Sequence, residues 1–218
     1  IVSSLNSARM IRRFKTSKIT LVSVFLTAAA LMGYSFAPST IWLFILAIPL
    51  GLGAGAIDSG LNNFVALHYE ARHMSWLHCF WGIGATTGPV IISFFLNQNN
   101  NWRGGYRTIS IIQFVLVIVM FFALPKWKIA EGEITEDEKK EQKLMTNGDA
   151  LKLRGAKWAV LTFVCYCSVE MTTGLWSSTF LTENRGLSAA TAAAFVSLYY
   201  GGITAGRALC GFLTMKFN

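Results

Sequence analysis

The 218-residue chain is 53% hydrophobic, 13% aromatic and only 14% charged, with a net charge of +8 and a mean hydropathy of +0.47. Soluble domains carry nearer ~25% charged residues, so the composition excludes an ordinary soluble fold and points to an all-α protein that crosses a membrane several times. The positive charge does not mark a nucleic-acid partner, because 13 of the 19 Lys and Arg fall in two segments, 9–18 and 126–157; that is the pattern of basic loops on one side of a bilayer.

The chain opens on Ile1 with a short mixed segment and no visible signal peptide, and stops abruptly at Asn218. Its first residues read as the end of a helix, and the whole as an internal fragment. Residues 9–18 form a basic loop. Apolar stretches at 19–36, 41–67, 76–96, 106–124, 158–181 and 188–212 are each expected to cross once, since one crossing needs about 20 apolar residues. Alternating crossings put residues 9–18, 68–74 and 126–157 on one side, with 14 Lys and Arg, against Arg103, Arg107 and Arg185 on the other. The positive-inside rule makes the crowded side cytoplasmic in a multi-pass protein of the cell membrane. Trp102, Tyr106, Trp127 and Trp158 sit where interfacial aromatics are expected.

The segment 126–157 differs from its surroundings, carrying seven of the eleven acids and eight basic residues. It reads as a solvated cytoplasmic linker. Thr135 to Glu138 forms a capping box and Asn147-Gly148 a helix stop, which predicts a short surface helix over 136–146. The linker divides the chain into 1–125, 126–157 and 158–218.

Two acids stand alone inside apolar helices. Asp58, in the run Gly51 to Phe64, is the single Asp, Glu, Lys or Arg between Ile19 and Tyr69. An acid there costs roughly 2.5–3.5 kcal/mol on insertion scales and usually faces a partner or a water-filled cavity. Asn62 shares its face at i+4, while Gly51, Gly55 and Gly60 are expected to thin the helix for close packing. Glu170 is the second, 13 residues from both Lys157 and Glu183 and hence near mid-membrane. Tyr166, Thr173 and Ser177 share its face. The bland alternative for both acids is a structural role between packed helices.

His78, near one end of its crossing, fits interfacial hydrogen bonding as well as ligand contact. Arg207 reads as an interfacial or structural charge, and Gly84 to Pro89, with Gly88 between, as a packing motif on a bent helix. The four cysteines, Cys79, Cys165, Cys167 and Cys210, all lie in apolar stretches and indicate neither a zinc site nor a disulfide framework. No metal-binding His pair, serine elbow or phosphate-cradling loop occurs, so neither a cofactor nor an enzyme is indicated.

The order of crossings, the basic loop at 9–18 and the long central linker resemble the major facilitator superfamily. That family's signature between helices 2 and 3 corresponds here to Ala8 to Lys15, with Arg12 and Arg13 in the basic register but no acid; a second copy runs from Gly211 to Phe217. The resemblance implies a partial major facilitator fold, from the end of helix 2 through helix 8 of 12. Within the family, Asp58 followed by Asn62, Asn63 and Phe64, and then His78, Trp81, Gly82 and Gly84, are similar to the fucose permease branch of sugar–proton symporters. This implies a monomeric carrier of a small polar solute and protons. Asp58 and Glu170 would be the proton-coupling residues, and Asn62, Asn63, His78, Trp81, Tyr166, Thr173 and Ser177 the solute contacts. Gly84 to Pro89 also resembles a drug–proton antiporter signature, which supplies the alternative; a transport-inactive membrane sensor is the other.

Overall fold

The computed structural model describes residues 6, 10–11, 13–98, 101–132 and 147–216. Among them are seven helices: α1 (Thr16–Phe36), α2 (Thr40–His68), α3 (Ala71–Asn97), α4 (Trp102–Gly132), the single turn α5 (Asn147–Ala150), α6 (Ala156–Arg185) and α7 (Ala189–Lys216). The described residues contain no strand. Five helices, α1 to α4 and α6, are long and apolar enough to cross a membrane. The 28 residues of α7 also suffice in length at ~1.5 Å each; Tyr199, Tyr200, Gly201, Gly202 and Arg207 dilute its hydropathy.

The helices extend further than the apolar stretches suggest. Helix α3 begins at Ala71 rather than near Trp76, which leaves only a short turn after His68. Helix α4 runs through Pro125 to Gly132. Prolines at 49, 89 and 125 all lie inside helices; helices in a bilayer tolerate them because local adjustments and neighbouring groups take up the freed carbonyls. The Asn147-Gly148 pair lies in the turn α5, with Lys152 bonded to Asp149 at 2.9 Å. The expected surface helix over 136–146 and Arg12 lie outside the described residues.

Helix α1 is the buried axis of one layer, packed between α2 and α4. Its buried face is a stripe of small polar residues that includes Thr16, Ser17, Thr20, Ser23 and Thr27. These side chains are short enough to admit neighbouring backbones, and two of the hydroxyls are satisfied within the helix: Thr20 donates to the Thr16 carbonyl at 2.8 Å and Thr27 to that of Val24 at 2.9 Å. Ser110 of α4, fully buried, donates across the interface to the Ala28 carbonyl at 2.8 Å.

The close approach of α2 occurs at Gly53, where a β-carbon would stand 2.7 Å from Thr27 Cγ2 and 2.8 Å from the Ser23 carbonyl oxygen. This corrects the expectation for Gly51, which faces open space; Gly60 is buried, and a β-carbon there would meet Thr16 Cγ2 at an ordinary contact distance of 3.8 Å. Two residues along a helix turn a side chain by about 200°, so Gly51 and Gly53 point opposite ways.

The other principal pairing is α3 with α7, which run antiparallel. Ser75 lies against Gly211 (3.2 Å to a β-carbon there), Gly82 against Thr204, Thr86 Oγ1 is 3.5 Å from Thr204 Oγ1, and Ser93 donates to the Ala190 carbonyl at 2.8 Å. This seam joins helices from opposite sides of the charged segment. Gly84 and Gly88, expected to pack, instead face open space; Gly82 makes the contact. Helix α6 docks on the far side of α7, with Gly174 receiving the Tyr200 ring.

Candidate functional site

Glu170 stands 14 residues after Ala156, the start of the 30-residue α6, about 21 Å along its axis at ~1.5 Å per residue. It is only 6% exposed. A bare carboxylate so placed would be costly, and the fold supplies a counter-ion: Arg207 of α7 places Nη2 at 3.3 Å from Oε1 and 3.2 Å from Oε2. The same nitrogen donates to the Tyr166 hydroxyl at 2.9 Å, which lies one turn before Glu170 on α6. Arg207 is itself mostly buried, its side chain 23% exposed. Removing one partner of such a pair leaves an uncompensated charge, at a cost of about 3–5 kcal/mol.

A third helix completes the site. The Arg207 guanidinium carbon sits 4.6 Å from the centroid of the Trp81 ring on α3, within range of a cation–π attraction of about 0.5–2 kcal/mol. Trp81 in turn meets Tyr200 of α7 edge-on at 6.0 Å. Trp81, Arg207 and Glu170 therefore form one chain of contacts from α3 through α7 to α6.

Arg207 and Tyr166 line a cleft of about 830 Å³. Its walls come from the end of α2 (Val65, Tyr69), the start of α3 (Met74, His78), α6 and α7 (Ile203). Glu170 lies behind this lining. At the rim, Glu70 pairs with Arg72 at 2.9 Å. Among the described residues no cluster of three or more His, Cys, Asp or Glu could hold a metal.

The residues singled out from the sequence divide into two groups. Tyr166 and His78 line the cleft, and Glu170 and Trp81 join them through Arg207. Asp58 does not join them: it is exposed on α2, where Asn62 Nδ2 donates to its carbonyl at 2.8 Å and to its Oδ1 at 3.0 Å. Asn63 is exposed beside it. Thr173 and Ser177 are half-buried, and the Ser177 hydroxyl is spent on the Thr173 carbonyl of its own helix. Arg207, read from the sequence as an interfacial or structural charge, is the centre of the site. The signal that finds it is charge balance: α6 and α7 each carry one ionised residue far from their ends, and buried charges in a membrane seek each other.

Long apolar helices, a seam of small residues between two of them and a mid-helix ion pair behind a cleft define a multi-pass α-helical membrane protein. The pattern of the Major Facilitator Superfamily matches residues 1–218, and the chain belongs to that family of transporters. It is similar to the glucose/mannose transporter GlcP of Bacillus subtilis (strain 168), 24% identical over 217 residues that cover 96% of this chain and 53% of the relative. It is also similar to the Bypass of stop codon protein 6 of Saccharomyces cerevisiae, 23% identical over 242 residues, 100% of this chain and 48% of the relative. The chain thus spans about half the length of the curated relatives it matches. No solved structure matches it.

Proposed function

We propose that the protein is a secondary active transporter that moves a small polar solute of the sugar class, coupled to protons, by alternating access. The observation that carries this reading is the Glu170–Arg207 pair, an ion pair between two helices at mid-membrane depth, with Arg207 lining a cleft large enough for a solute. In transporters built this way the site lies near the midplane, and the surrounding bundles rock around it. Residues 1–125 and 158–218 belong to the two moving bodies, with 126–157 as a cytoplasmic linker. The cleft then opens to the cytoplasm, because its rim is the basic-side turn after α2.

Asp58 and Glu170 carry protons. His78, Trp81 and Tyr166 contact the solute at the cleft, with Asn62 on the Asp58 face, Asn63 next to it in the chain, and Thr173 and Ser177 further along α6. The likeness to a glucose/mannose transporter supports a sugar. The carrier works as a monomer in the cell membrane.

The test is a panel of radiolabelled hexoses, sugar acids, polyols and lipophilic cations offered to proteoliposomes of the full-length protein under an imposed pH gradient. Accumulation of a hexose, sugar acid or polyol supports the reading. Expulsion of lipophilic cations alone would reassign the protein to drug–proton antiport, and no transport of anything on the panel would leave the sensor reading in its place.

A further inference from the structure

The polar contacts of Arg207 are unevenly distributed over its guanidinium. A guanidinium carries five N–H donors in a planar fork, and its strong pairs with carboxylates use two of its nitrogens in parallel. Here both contacts to Glu170 and the one to Tyr166 run from Nη2 alone, at 2.9 to 3.3 Å. Among the described residues, Nη1 and Nε make no hydrogen bond, although Arg207 lines the cleft. The pair is neutral as a whole, held through one guanidinium nitrogen, and leaves the rest of the fork to a second ligand.

Protonation of Glu170 changes the charge of this site by one. The carboxylate takes up a proton, becomes a neutral acid and no longer compensates Arg207. A largely buried guanidinium then needs an anion, since an unpaired charge in this setting is strongly disfavoured. The other ionisable groups around it do not supply one. Tyr166 is a hydroxyl donor; His78 on α3 and Tyr69 on α2 line the same cleft; Tyr200 and Cys210 lie on α7; Glu70 at the rim is held by Arg72.

We propose that Arg207 is the binding residue for a carboxylate on the solute, and that this carboxylate replaces Glu170 when Glu170 takes up its proton. The substrate class is therefore a small hydroxylated acid, such as a sugar acid, rather than a neutral hexose. Trp81 holds the guanidinium from α3, and Tyr166 supplies a further donor. One proton enters with each anion, which links solute movement to the pH gradient through charge compensation. The inference rests on reading this cleft as the solute path.

The experiment compares matched ligands, D-glucose and D-glucuronate, with gluconate and lactate as further carboxylates, in binding to the full-length protein. These carboxylates stay ionised from about pH 5.5 to about pH 7.5. Glu170→Gln, which fixes the neutral state, should bind these acids at least tenfold more tightly than the unsubstituted protein at both pH values. Arg207→Gln alone strands Glu170, so the double variant Glu170→Gln/Arg207→Gln serves as the control; it should keep its melting transition and lose acid binding. The proposal is overturned if none of the three acids gains affinity in Glu170→Gln, or if the double variant binds them as well as that single variant. Proton-driven glucose transport that ignores both substitutions would sink this inference and leave the transporter reading intact, whereas absence of transport of every solute would sink that reading.

Discussion

Gly82 of α3 lies so close to Thr204 of α7 that a β-carbon at position 82 would overlap the threonine hydroxyl. Two residues on, Gly84 faces open space. The same helix therefore carries one glycine that a neighbour requires and one that it does not. The seam through Gly82 sets the spacing of α3 and α7, and that spacing brings Trp81 over Arg207. Packing at the seam and electrostatics at the site are consequently coupled.

Gly82→Leu should separate the two helices. Overpacking typically costs about 1–3 kcal/mol, and here the displaced Thr204 backbone lies only 3.3 Å from the added carbon. Gly84→Leu should leave stability nearly unchanged. Thermal unfolding in detergent, followed by tryptophan fluorescence, separates the two; equal melting temperatures would contradict the assigned seam.

Ser110→Ala tests a different kind of contact. Its hydroxyl is fully buried and bonds to the Ala28 carbonyl, but interhelical hydrogen bonds in membranes average only ~0.6 kcal/mol. The substitution should therefore cost about that much. Ser110→Leu, which adds volume where α1 and α4 touch, should cost several times more. A larger loss for Ala than for Leu would mean that the hydrogen bond, and not the fit, holds this layer together.

The helices were legible in the sequence because a bilayer demands long apolar runs. Their ends were not, since charged residues such as Arg72 and a proline such as Pro125 extend a helix beyond its apolar part. Glu170 was legible for the same reason as Asp58: a lone acid in an apolar helix stands out. The partner of Glu170 was not, because Arg207 is 37 residues away and meets it only when α6 docks on α7. Which glycines pack depends likewise on helix rotation; Gly51, Gly84 and Gly88 face open space, while Gly53 and Gly82 do not.

Topology provides a third expected outcome. A single cysteine placed within 133–146, in a background lacking Cys79, Cys165, Cys167 and Cys210, should react with a membrane-impermeant maleimide only from the cytoplasmic side. One replacing Asn99 should react only from outside, as the charge distribution requires. The reverse labelling would invert the proposed orientation of the cleft.

Of the two carboxylates proposed to carry protons, Asp58 is the simpler to isolate. Its side chain is exposed on α2, and its hydrogen bond comes from Asn62 one turn away. Asp58→Asn keeps the size of the group and can still accept from Asn62 through its amide oxygen, while removing the titration. Folding should survive, with a melting shift within about 0.5 kcal/mol, as befits an exposed position. If Asp58 carries a coupling proton, accumulation driven by a pH gradient should collapse while solute exchange between equilibrated compartments persists. A purely structural acid would lower expression and exchange together. Uptake against the solute gradient that continues unchanged in Asp58→Asn would leave Glu170, the buried and paired carboxylate, as the coupling residue.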